Sequence, residues 1–167
     1  MFQPVADDFE NARDRYASLL QQARALLAGE RDSVANAANL AALIYHGVPD
    51  LNWAGFYFLE GDVLVVGPFQ GLPACVRIPL GAGVCGTAAA ERRTVVVEDV
   101  DAFEGHIPCD AASRSETVVP LIDDDGRLLG VLDVDSPSVG RFGPDDAAGL
   151  EAIARAYVES LAGDSPD

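Results

Sequence analysis

SETVVPLIDDDGRLLGVLDVDS, residues 115–136, holds two apolar runs on either side of an acidic turn. Runs rich in Val, Leu and Ile that flank an Asp-Gly turn predict a β-hairpin. The expected pairing sets 115–123 against 127–135. Side chains alternate across a strand, so Leu129, Val131, Asp133 and Asp135 are expected on one face. Two aspartates in succession at the end of a buried strand are costly unless cations or donors meet them. They are cheap if the strand is already surfacing there. Glu116, second in the opposing strand, comes close to both, and three converging carboxylates suit a ligand that carries an ammonium group. Like charges disfavour joint ionisation, so at least one of the three should hold a proton near neutral pH.

Working outward, LNWAGFYFLE (51–60), the turn Gly61-Asp62 and VLVVGPFQG form a first hairpin. VRIPL (76–80) and TVVVEDV (94–100) read as shorter strands, and GAGVCGTAAAERR (81–93) as a glycine-rich entry into a short helix. Apolar residues recur at helical spacing over 8–28 and 32–46. FGPDDAAGLEAIARAYVESLAG closes the chain as a helix, with Pro144 and two acids in its first turn. The order predicts an α+β fold: an antiparallel sheet of about six strands, with N- and C-terminal helices packed on one face. Loops would cover the other face and enclose a cavity, with the aperiodic stretch 100–114 as its wall. One domain is expected over 1–167, with N-terminal helices in 1–47 and the sheet core, cavity and C-terminal helix in 51–162.

The chain has 27 acidic and 11 basic residues, no Lys, and a net charge of −16. Such a charge argues against nucleic acid and anionic membrane surfaces as partners, because phosphate binding needs a basic patch. No apolar run approaches the ~20 residues that span a bilayer. The acidic start MFQPVADDFENARDRY lacks the features of a secretory signal, so a cytoplasmic location is expected.

Cysteines stand at 75, 85 and 109. In a cytosolic chain they are more often reduced, metal-binding or catalytic than structural bridges. Cys85, at the start of a helix in GVCG, is placed where backbone N–H groups and the helix dipole favour a thiolate. Cys109 follows His106 by three positions on the loop GHIPCDAASRSETVVP. A Cys3His zinc set of Cys75, Cys85, Cys109 and His106 lacks the short Cys-x2–4-Cys knuckle of structural sites, so redox chemistry or inert thiols rank ahead of it. No metal is expected. Trp53, the sole tryptophan, is either core packing or a wall for a ligand methyl group.

Taken together, these residues resemble free methionine-(R)-sulfoxide reductase, a family of free-standing GAF domains. The resemblance rests on cysteines spaced by ten and then twenty-four residues, on GVCG, on HIPCDAASRSETVVP and on LDVDSP, and runs from about Leu51 to FGPDD. It implies reduction of free L-methionine (R)-sulfoxide through a cysteine sulfenic acid and an intramolecular disulfide. Cys109 would be the nucleophile, with Cys75 and Cys85 as resolving and accessory cysteines in an undecided order. Trp53 would pack against the substrate methyl, and Glu116, Asp133 and Asp135 would hold its ammonium and sulfoxide oxygen. No cofactor is implied beyond an external dithiol such as thioredoxin, and a homodimer is favoured. His106 is expected at the surface. Pro108 departs from the family's HIACD and stiffens the approach to Cys109, while the shortened DDDG turn bears on the hairpin register. The alternative is a GAF-type sensor that binds a small ligand without catalysis, although 167 residues leave little room for the effector domain such sensors accompany.

Overall fold

A computed structural model describes residues 9–162. Four helices, α1 (Ala12–Leu27), α2 (Ser33–Gly47), α3 (Gly83–Glu91) and α4 (Pro144–Leu161), accompany six strands. The strands are β1 (Trp53–Glu60), β2 (Val63–Gly71), β3 (Arg77–Pro79), β4 (Val95–Val97), β5 (Ser115–Ile122) and β6 (Leu128–Ser136). The sheet is antiparallel throughout, in the order β3-β2-β1-β6-β5-β4. The fold class is therefore as the sequence predicts. The expected start of the first helix at residue 8 lies outside the described residues. Asn11 opens α1 instead, its Oδ1 accepting from the Asp14 N–H at 2.9 Å, and Asp32 caps α2 in the same way through Ala35.

The two faces of the sheet are used differently. Toward α1, α2 and α4, the strands present Ala54, Phe56, Val119, Leu121, Leu132 and Val134. These pack against Leu19, Leu40, Ile44, Leu150, Ile153 and Tyr157 in the larger core. Each large apolar side chain buried there contributes about 1.5–3 kcal/mol of transfer free energy. The Ala/Leu face of α2 is therefore spent on the sheet of its own chain. Among the described residues, no helix is long and apolar enough to cross a membrane.

The opposite face carries Trp53, Tyr57, Val118 and Val131, packed with Val84, Cys85 and Ala88 of α3 in a smaller cluster. Here the structure corrects the expected hairpin register. Near the turn, Ile122 pairs with Leu128, as the sequence suggested. One step further Leu121 pairs with Gly130, so β6 contains one extra residue and a β-bulge. Beyond it every partner is displaced by one, and Glu116 stands opposite Asp135 rather than Val134. Residues directly opposite share a face. Without the bulge, Glu116 would point toward the helices, away from both aspartates. The bulge also separates Leu129 from Val131: Leu129 packs on the helix-side core and Val131 on the other cluster, against the strict alternation expected of them. Gly130 permits this, since a Cβ on it would stand 2.0 Å from the Tyr57 carbonyl oxygen of β1.

Candidate functional site

Two rows of side chains cross the three central strands. Asp135 of β6 pairs with Trp53 of β1 on one side and Glu116 of β5 on the other, and Asp133 pairs likewise with Gly55 and Val118 in the next row. Over this floor, α3 and the loops before β3 and β5 form a cavity that opens to solvent. Its wall includes Pro73, Ala74, Cys85, His106, Ile107, Cys109 and Asp110, and its floor Trp53, Tyr57, Glu116, Asp133 and Asp135. All seven residues singled out from sequence come together: Cys75 packs on the same apolar cluster and is bonded to Cys109. The stretch 100–114 is a cavity wall, as expected, with one short 3-10 turn at Val100–Ala102.

The three carboxylates are buried, with 6–8% of their surface exposed. Among the described residues, no Lys or Arg lines the cavity. Burial without a counter-charge raises their proton affinity. For Asp133 burial is the leading cause and carries its carboxyl up to about 7, although contacts with Cys85 and Glu116 oppose the shift. Glu116 is held well above the usual carboxylate range by burial first, then by the charges of Asp133 and Asp135. Asp135 is raised by burial and by Asp133 and Asp110. All three shifts run in the same direction, toward the protonated form, and a cation entering the floor would oppose them.

Cys75 and Cys109 form a disulfide, with Cα atoms 5.3 Å apart and 34 residues apart in the chain. Both sulfurs are thereby withdrawn from the Cys3His zinc set considered from sequence. Cys85 remains free and buried, and its thiol points at the acids, with Sγ 3.8 Å from Glu116 Oε1. This overturns the expectation of a thiolate at the start of α3. Burial first, and then Asp133, Glu116 and Asp135, push the thiol pKa well above its ordinary value. Full desolvation beside carboxylates outweighs a helix dipole, which contributes only about 0.3–1 kcal/mol.

Trp53 is buried and stacks on Tyr57 and Phe69 at centroid distances of 5.8 and 5.2 Å, while its Nε1 donates to the Leu72 carbonyl. It belongs both to the core and to the cavity wall. His106 is not a surface residue: its side chain is 16% exposed, and Nε2 lies 4.0 Å from Glu116 Oε2. Sequence reasoning also missed Asn52. Its Nδ2 donates to Asp110 Oδ2 and to Ser113 Oγ, both at 3.0 Å, tying the segment after Cys109 to the start of β1. A polar side chain beside Trp53 was the only available signal. Tyr57, whose hydroxyl donates to the Cys75 carbonyl at 3.2 Å, carried none beyond its place in an aromatic strand.

The model of the GAF domain family matches residues 11–160. The free methionine-R-sulfoxide reductase of Escherichia coli is 51% identical over 152 residues, 91% of this chain and 92% of that protein. Protein YtsP of Bacillus subtilis is 54% identical over 149 residues, 88% of this chain and 91% of its own length. The X-ray structure of free methionine-R-sulfoxide reductase from Neisseria meningitidis in complex with its substrate superposes with a TM-score of 0.89 at 42% identity, covering 95% of this chain and 96% of that one.

Proposed function

This chain belongs to the GAF-domain family, among its free methionine-R-sulfoxide reductases, and from that premise we propose that it reduces free L-methionine (R)-sulfoxide to L-methionine. The observation that carries the reading is a Cys75–Cys109 pair at the wall of a cavity floored by three buried carboxylates. The substrate methyl lies against Trp53. Its ammonium takes the place of a carboxyl proton beside Asp135 and Glu116, where no Lys or Arg competes.

The reduced Cys109 sulfur attacks the sulfoxide sulfur, and a carboxyl group passes its proton to the sulfoxide oxygen. Asp133, at about 7, is matched to this task at neutral pH. The oxygen ends on Cys109 as a sulfenic acid and methionine departs. Cys75 then displaces that oxygen as water and forms the disulfide. An external dithiol such as thioredoxin restores both thiols and supplies the two electrons. Cys75 is assigned as the resolving thiol because Cys85 is buried among the acids and unpaired. No metal or organic cofactor enters the sequence of steps.

A free amino acid brings an ammonium group and a peptide-embedded methionine does not, so the cavity selects the free form. The test is turnover of free L-methionine (R)-sulfoxide with a thioredoxin system, alongside the S epimer and a blocked peptide form. Activity confined to the free R form is the expected result. Comparable turnover of the peptide refutes the selectivity, and no turnover of any form by fully reduced protein refutes the reductase reading.

A further inference from the structure

We propose that Cys85, Glu116 and Asp133 form a binding site for one thiophilic divalent cation, Zn2+ or Cd2+, in the floor of the cavity. The set differs from the Cys3His group considered from sequence, of which it retains Cys85 alone. One sulfur and one oxygen from each carboxylate lie within 4.8 Å of one another, and all three residues are buried. Cys85 Sγ and Glu116 Oε1 are 3.8 Å apart. Bond lengths of about 2.3 Å for Zn–S and 2.0–2.2 Å for Zn–O set the edges of a tetrahedron at roughly 3.3–3.6 Å. Small side-chain movements therefore complete three corners, and the fourth faces the cavity.

A second observation is independent of the clustering. The Asp133 carboxyl meets Cys85 and Glu116, but its Oδ1 atom is buried and has no hydrogen-bond partner among the described residues. The residue lines the cavity and is 6% exposed. A buried acceptor left without a donor calls for an ion or a donor supplied from outside. The donor set also limits the choice of metal. Ca2+ takes six to eight oxygens and Mg2+ six, whereas one thiolate with two carboxylates suits a smaller coordination number and a softer ion. On binding, Cys85 and any proton still held by Glu116 or Asp133 are deprotonated to solvent, and the sulfur and the two carboxylate oxygens give lone pairs to the metal; nothing is oxidised or reduced. The ion would occupy the floor on which the substrate ammonium is placed above, so thiophilic cations would inhibit turnover. That consequence rests on the proposed function, whereas the binding itself does not.

The test uses the disulfide form of the full chain, in which Cys85 is the only thiol. Titration with Cd2+ alone is expected to produce a sulfur-to-metal charge-transfer band that saturates at one ion per chain. Zn2+ should displace it stoichiometrically. Cys85→Ser should abolish the band, and Asp133→Asn should weaken Zn2+ binding at least tenfold. X-ray absorption of the wild-type zinc complex should show one sulfur ligand, a measurement that needs no variant to fold. Absence of the band, a zinc shell of oxygen alone, or Zn2+ affinity unchanged in Cys85→Ser would each overturn the site and assign the metal to the acidic surface.

Discussion

Gly130→Ala is expected to destabilise the fold by about 2–5 kcal/mol and to disable the site beyond that loss. A Cβ at this position would stand 2.0 Å from the Tyr57 carbonyl oxygen and 3.0 Å from Phe58 Cα. Strand β6 must therefore retreat from β1 by about 1 Å before the oxygen contact reaches the 3.0 Å below which real Cβ atoms are essentially never found. Such a retreat falls on the Phe58–Gly130 pairing and loosens one or two ladder hydrogen bonds, each worth about 1 kcal/mol. The φ of +155° adds a backbone penalty of about 1–3 kcal/mol for a residue with a side chain. Gly126, at φ +77° with nothing within 4 Å of its Cβ position, is the control that carries only a backbone penalty, of about 1 kcal/mol. Urea denaturation of both variants separates the two contributions. The functional effect follows from the bulge, because relaxation to the unbulged register turns Glu116 away from Asp133 and Asp135. If Gly130→Ala costs no more than Gly126→Ala, or keeps full reductase activity, the bulge does not set the geometry of the acids.

Stability should also depend on pH through Asp133. Its carboxyl is held up at about 7 against an ordinary 3.8, so between those values the folded state binds a proton that the unfolded state has lost. This contribution is fully present below about pH 4 and is lost as pH rises through 7, at about 1.4 kcal/mol per pH unit at most. The urea midpoint should therefore fall between pH 5 and pH 8, more steeply in the wild type than in Asp133→Asn; equal slopes would contradict the assignment. Reducing the Cys75–Cys109 bond, which closes a loop with a separation of 34, should lower stability by up to about 4 kcal/mol, and a thermal midpoint unchanged by reductant would argue against it. Asp135→Asn should raise KM for the free sulfoxide by about 10–100-fold, the worth of a charge-assisted hydrogen bond, with a smaller change in kcat; an unchanged KM would remove Asp135 from ammonium binding.

Much of this architecture is legible in local chemistry. Asp-Gly flanked by Val- and Leu-rich runs specifies the β5–β6 hairpin, and Pro144 with its two acids specifies the start of α4. The aspartates at 133 and 135 stand out because alternation assigns both to one face of a strand that is otherwise apolar up to Ser136. Asn52 and His106 were hidden because their roles rest on neighbours 58–61 and ten residues away, which no local pattern displays.

The sequence by itself determined the element order, the α+β class, the acid pair and a cysteine spacing that points to a family. Each of these depends on residues close in the chain, where propensity and alternation operate. Only the tertiary structure decided which cysteines pair, where the third thiol sits and which way Glu116 faces. A one-residue bulge at Gly130 inverts a face without changing the apolar pattern around it. The partner of Cys109 is selected by how the loops before β3 and β5 meet over the sheet. At Cys85, desolvation among carboxylates reverses the proton affinity that the helix start alone would impose.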